Sequence, residues 1–200
     1  MNFIFQVKEI KKKIKSEILF DESLSKYSWF NIGGKASVVF KPKSLNELSF
    51  FLKNLKDFNK IKILGAGSNT LIRDEGFEGI IIKLGKPFSR ISLLNNNMII
   101  AGASALDKHV SNFAFENSLS GFEFLSCIPG TIGGGIKMNA GCFQREFKDI
   151  LISIQAINKS GEIITIPAKE MNFKYRDSGL SDELIFLSAS FKGFKKDKDI

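Results

Sequence analysis

The chain has 200 residues, 44% of them hydrophobic and 25% charged, enough apolar material for a buried core and too much for an intrinsically disordered chain. Its net charge of +8 invites a nucleic-acid or anionic-membrane reading, yet the excess sits at the two ends, with five lysines from Lys8 to Lys15 and four from Lys192 to Lys198. The stretch between is close to balanced and carries no basic stripe interleaved with aromatics, so neither nucleic acid nor a membrane is expected as a partner.

In chain order, Phe3, Val7, Ile10, Ile14 and Ile18 fall at helical spacing with lysines between them, which predicts an amphipathic helix over 1–22. A secretory signal needs an unbroken apolar block, and no later stretch reaches the length of a membrane span. A soluble, cytoplasmic protein is therefore expected. A first lobe over 23–85 holds a strand at Ser37–Phe40 and then a helix running to Lys56, which Ser44 caps with Glu47 three residues on. A buried strand at Ile61–Leu64 and another at Gly79–Leu84 complete it.

A second lobe over 86–194 begins with strands at Arg90–Leu94 and Met98–Ala101 and a helix at Leu106–Asn117. A Gly-rich loop from Ile128 to Gly141 follows. Strands at Ile150–Asn158 and Glu162–Ile166 are joined by a Lys159-Ser160-Gly161 turn, a last strand spans Leu184–Phe191, and a charged tail occupies 195–200. Trp29 and the Phe122–Phe124 pair read as core. Cys127 and Cys142 form no CxxC pair and His109 is the only histidine, so no metal site is expected and buried, reduced thiols are the default.

Two loops carry the candidate chemistry. Leu64-Gly65-Ala66-Gly67-Ser68-Asn69-Thr70 leaves a buried strand and offers successive main-chain N–H groups, either as a phosphate nest or as an ordinary tight turn. It is not a Rossmann unit: Thr70 stands where a third glycine belongs, and about ten residues before the next strand leave no room for a crossover helix. The second loop, Ile128-Pro129-Gly130-Thr131-Ile132-Gly133-Gly134-Gly135 through Lys137-Met138-Asn139-Ala140-Gly141, is dense in glycine. Such density means either a backbone that closely approaches a ligand or a buried bend that packs helix against sheet.

With these residues in view, the wording resembles a known family. Leu64–Asn69 with Arg73-Asp74-Glu75-Gly76-Phe77, Gly121-Phe122-Glu123-Phe124-Leu125 leading into Ile128–Gly134, and Met138-Asn139-Ala140-Gly141 are similar to the MurB reductases, as are Trp29–Gly34 and Tyr175-Arg176-Asp177-Ser178. The resemblance implies an α+β, two-lobed FAD-binding fold of the vanillyl-alcohol-oxidase (PCMH) type, here lacking the C-terminal substrate-binding domain. It implies non-covalent FAD, with the pyrophosphate on Gly65, Ala66, Gly67, Ser68, Asn69 and Thr70. Pro129, Gly130, Thr131, Gly133 and Gly134 share that role, and Asn139, Ala140 and Gly141 line the flavin.

The same resemblance implies NADPH as reductant and UDP-N-acetylglucosamine enolpyruvate as substrate, reduced to UDP-N-acetylmuramate for peptidoglycan synthesis. Tyr175 and Arg176 would bind substrate, Arg176 being catalytic through a bidentate pair with the carboxylate that gains as enolate charge builds. The bland alternative is a surface pair of Arg176 with Asp177 or Asp74. The family's proton-donating serine and a helping glutamate lie beyond Ile200, so little turnover is expected of the chain alone. Competing readings are a non-catalytic flavin-binding module and another oxidoreductase of the same flavin fold. His109 is either a structural histidine or, as in some related oxidases, a covalent flavin anchor. A monomer is expected.

Overall fold

The computed structural model describes residues 3–56, 60–95 and 97–196. The chain forms two compact units, one of Met1–Pro87 with Ile157–Ile163 and Asp182–Ile185, the other of Phe88–Ala156, Ile164–Ser181 and Phe186–Ile200. The first unit is thus discontinuous in sequence. The turn at Gly161 belongs to it because Ser49 Oγ donates to the Gly161 carbonyl (2.8 Å), and Gly161 itself is left-handed, at φ +72°.

In the first unit α1 covers Phe3–Lys11 and buries Phe3, Val7 and Ile10. The helix expected over 1–22 stops there, residues 1 and 2 lying outside the described residues, and Glu17–Ser23 is a strand, β1. Ile18 sits on the helical period, but it pairs with Phe40 in an antiparallel ladder with β2 (Lys35–Lys41). Tertiary pairing overrides periodicity here. Glu47 pins the break, accepting from the Lys15 N–H (2.8 Å) and from the Ser16 hydroxyl.

Helix α2 (Leu45–Asn54) starts where Ser44 Oγ accepts the Glu47 N–H, and it buries Leu48, Phe51 and Leu52. The Phe51 ring stacks on Phe40 at 4.0 Å between centroids, so the helix lies on the sheet. Strands β3 (Ile61–Ile63) and β4 (Phe77–Ile82) complete the order β1-β2-β4-β3, with β4 parallel to both β2 and β3. The β3 to β4 connection, residues 64–76, contains no helix.

The second unit is built around strands β5 (Ile91–Leu94) and β6 (Met98–Gly102), followed by α3 (Asp107–Glu116) and the short β7 (Leu119–Ser120). Next come α4 (Ile132–Lys137), the small hairpin β8 (Gly141–Cys142) and β9 (Arg145–Glu146), and β10 (Leu151–Ile157). Strands β11 (Ile163–Pro167), β12 (Ile185–Lys192) and β13 (Phe194–Lys195) end the described chain. The main sheet runs β11-β10-β12-β6-β5. Lys195 of the expected charged tail pairs with Leu119 through β13, and residues 197–200 lie outside the described residues.

Phenylalanines fill this core. Phe124 and Phe191 meet Phe147 at 6.0 Å, and Phe122 meets Phe191 edge-on at 6.4 Å. Phe122 and Phe124 are buried as expected, whereas Trp29 is 60% exposed. Trp29 follows a short 3-10 turn, Leu24–Tyr27, and its N–H is drawn to the Gly67 carbonyl (3.1 Å), which leaves the ring outside the core. Cys127 is exposed and Cys142 half-buried, so neither is the buried thiol anticipated.

Candidate functional site

The first loop leaves β3 from Leu64, which is fixed in a buried cluster with Leu24, Ala36, Val39 and Ile81. Gly67 has φ +74°, and a Cβ there would lie 1.9 Å from the Tyr27 carbonyl oxygen, so only glycine fits. The Gly65 carbonyl accepts Lys83 Nζ at 2.5 Å. Burial lowers the Lys83 pKa, and the nearby Lys41 charge adds to the effect. Among the described residues no N–H from Gly65 to Thr70 has a protein acceptor. Six successive unpaired donors are costly unless water or an anion meets them. They fit a diphosphate in number and chemistry.

The second loop is not wholly a loop. Its glycines form α4, six residues long. A Cβ on Gly135 would lie 2.3 Å from the Phe147 ring, and one on Gly133 would lie 3.1 Å from Ala103, so these two glycines serve close packing. The buried-bend alternative holds for them. Most donors here are spent internally: Gly130, Ile132, Gly133 and Gly135 donate to Ile128, Ala105, Ala103 and Thr131. Thr131 and Gly134 keep unpaired N–H groups among the described residues. Only Thr131 Oγ1, at 3.5 Å, would meet a Cβ on Gly134, so that position faces open space. Pro129 is exposed and Ala140 half-buried. Gly141 packs against the Arg145 carbonyl.

Asn139 is 0% exposed. Its side chain is directed into the protein, Nδ2 donating to Glu146 Oε2 (3.1 Å) and to the Lys174 carbonyl (3.2 Å), while Oδ1 accepts the Lys148 N–H (3.2 Å). With the whole residue buried and its carboxamide spent on the protein, Asn139 offers a flavin no side-chain contact. The adjoining hairpin tip, Phe143-Gln144, has φ +51° and +61°, with Phe143 78% exposed.

Tyr175 and Arg176 occupy the middle of a tight turn in which Lys174 and Asp177 exchange both main-chain bonds (2.9 and 3.2 Å). Arg176 is left-handed, φ +58°, a conformation that costs an arginine roughly 1–2 kcal/mol. Its guanidinium lies 4.9 Å from the Tyr175 ring centroid, and Tyr175 is 81% exposed. Among the described residues Arg176 forms no ion pair with Asp177 or Asp74, and Asp177 Oδ1 instead accepts the Gly179 N–H (2.9 Å). The guanidinium is exposed and available to an anion.

Sequence reasoning did not single out Asp107. It is 0% exposed, and neither carboxyl oxygen has a partner among the described residues. Oδ2 lies 2.7 Å from where a Cβ of Gly130 would stand, and burial pushes the Asp107 pKa up to about 8. The only sequence signal was one acid, at the start of α3, directly after Ala105-Leu106. His109, by contrast, lies on the exposed side of α3. No group of three or more metal-ligating side chains occurs among the described residues, and none of their helices is long and apolar enough to cross a membrane.

A family model described as an FAD binding domain matches residues 36–167. The UDP-N-acetylenolpyruvoylglucosamine reductase of Pelagibacter ubique is 59% identical over 98% of this chain and 65% of its own length. That of Rickettsia massiliae is 46% identical over 93% and 63%. This chain therefore spans a little under two thirds of these relatives. Among solved structures, the reductase (MurB) of Thermus caldophilus superposes with TM-score 0.78 at 28% identity, covering 92% of this chain and 64% of that one. The glucooligosaccharide oxidase of Acremonium strictum, at 15% identity, superposes with TM-score 0.66 over 95% of this chain and 43% of its own, sharing the fold. The expected α+β FAD-binding fold of the vanillyl-alcohol-oxidase type is the one found. The chain belongs to the FAD-binding domain family, and within it resembles the UDP-N-acetylenolpyruvoylglucosamine reductases.

Proposed function

We propose that this chain is the flavin-binding portion of a cytoplasmic, NADPH-dependent reductase that converts UDP-N-acetylglucosamine enolpyruvate to UDP-N-acetylmuramate for peptidoglycan synthesis. The observation that carries the reading is the run of six unpaired N–H groups from Gly65 to Thr70. Main-chain donors in such a row neutralise diphosphate oxygens without the desolvation cost of a buried cation. Within the second unit Thr131 and Gly134 would be cofactor-binding through the N–H groups they keep, while Pro129, Gly130, Gly133, Ala140 and Gly141 shape the backbone there. When bound, FAD would supply the redox chemistry by which NADPH reduces the enolpyruvyl group.

The chain's own contribution to that step is Arg176. As negative charge spreads into the substrate carboxylate, a guanidinium carried on this turn and held in no ion pair among the described residues would pair bidentately and gain strength with the charge. Tyr175 lies beside it, its ring centroid 4.9 Å from the guanidinium. The activity is proposed for the whole protein, with little turnover from this chain alone, a monomer.

Purified chain titrated with FAD tests the reading. A yellow protein whose flavin fluorescence is quenched on binding and released intact on denaturation is expected, followed by anaerobic bleaching with NADPH. Protein that takes up no FAD overturns every flavin reading. Flavin that survives denaturation attached to the chain overturns the non-covalent one.

A further inference from the structure

The arginine turn and the second glycine loop share one buried side chain. Asn139 follows α4 in a left-handed conformation, φ +38°, which asparagine tolerates better than most residues. Its carboxamide joins three segments: the end of α4, the β9 region through Glu146 and Lys148, and the start of the Arg176 turn through the Lys174 carbonyl. The far side of that turn is held by the Ser178 N–H donating to the Lys137 carbonyl (3.1 Å) and, just beyond it, by Lys137 Nζ donating to the Leu180 carbonyl (2.5 Å). On the near side Asn139 is the side chain that reaches the turn's own main chain, at the Lys174 carbonyl.

Glu146 supports the arrangement. It pairs with Lys148 Nζ at 2.6 Å. The hydrogen bond from Lys148, opposed by some desolvation, holds its carboxyl below the usual range, with the Asn139 amide and the Arg176 charge helping. Two donors and one acceptor on a short, left-handed residue describe asparagine and no other side chain: aspartate has no donor, glutamine is longer, and glycine keeps the backbone but loses all three bonds.

We propose that Asn139 is a positioning residue for Arg176: its carboxamide ties the Lys174 carbonyl to α4 and β9, holding the left-handed turn and its guanidinium ready before substrate arrives. The proposal rests on Arg176 as the carboxylate-binding group. It gives Asn139 a role through the turn in place of a side-chain contact with flavin.

The chain has four arginines, Arg73, Arg90, Arg145 and Arg176, so arginine-labelled protein gives four Nε–Hε NMR signals, and loss of one in Arg176→Lys assigns the residue. Asn139→Gly, which keeps the backbone conformation, is expected to shift and sharpen the Arg176 signal and leave the other three in place. Amide exchange at Lys174 and Asp177 should rise at least tenfold while β10 and β12 stay protected, with FAD affinity changing less than twofold. Asn139→Asp should do the same, whereas Glu146→Gln, which retains an acceptor for the Asn139 amide, should leave amide exchange at Lys174 and Asp177 near that of the unaltered chain.

An unmoved Arg176 signal with unchanged exchange in both Asn139 variants overturns the proposal, as does loss of FAD with the turn intact. Arg176→Ala separates the underlying reading: if it leaves the affinity of the FAD-loaded whole protein for UDP-N-acetylglucosamine enolpyruvate unchanged, the role of Arg176 fails, and the exchange data still decide that of Asn139.

Discussion

Replacing Asp107 with asparagine should remove a pH-dependent weakness from the second unit. Asp107 is fully buried with both oxygens unpartnered, and burial raises its pKa from 3.8 to about 8. Between those two values the native state holds a proton that the unfolded chain has released. A group raised in the native state gives its full stability below the unfolded value and loses it as pH rises toward the native one. The loss is about 1.4 kcal/mol per pH unit, or about 3 kcal/mol between pH 5 and pH 7. Asparagine has nearly the same shape, is equally unpartnered and does not titrate, so the two proteins should be similarly stable near pH 4. Their difference should then grow with pH in favour of Asp107→Asn and level off above about pH 8. Urea unfolding followed by circular dichroism at pH 5, 6, 7 and 8 measures it, every other titrating group cancelling between the two proteins. Curves that stay parallel across this range, or a difference that shrinks as pH rises, would refute the reasoning.

Arg176→Gly should stabilise the second unit by about 1 kcal/mol by relieving its left-handed backbone, and should abolish reduction of the enolpyruvyl substrate in the whole protein; thermal melts and single-turnover kinetics read the two effects separately. Gly134→Ala meets open space, so it should leave stability equal or up to ~1 kcal/mol higher, yet weaken FAD binding in a fluorescence titration if that backbone faces the cofactor. Gly135→Ala collides with the Phe147 ring and should cost about 1–3 kcal/mol in urea unfolding. At Gly67, alanine meets the Tyr27 carbonyl and a left-handed φ together, and a comparable loss of stability should come with a colourless protein after incubation with FAD.

What could be read from sequence depended on how local the cause was. The Ser44 cap and the Gly161 turn were legible because a residue type and its neighbour three or four positions away decide them. The end of α1 was not, because Ile18 satisfies a helical period and only its pairing with Phe40 reveals the strand. α4 was hidden for the opposite reason. Three consecutive glycines have poor helix propensity, and what supports them is packing against Ala103 and Phe147, distant in sequence. Tyr175 and Arg176 stood out by motif, but the left-handed φ of Arg176 and the buried link from Asn139 to Lys174 have no sequence signature. Asp107 is the clearest case: its chemistry arises wholly from what surrounds it.

The glycine notch beneath Phe147 bears on how a ligand is captured. Since Gly133 and Gly135 are held by the protein's own packing, α4 needs no guest to keep its shape. Association at this loop should then resemble a key entering a cut lock more than a hand closing, with little ordering entropy lost on binding. Its rate should be set by encounter, leaving dissociation as the quantity through which substitutions around the notch change affinity.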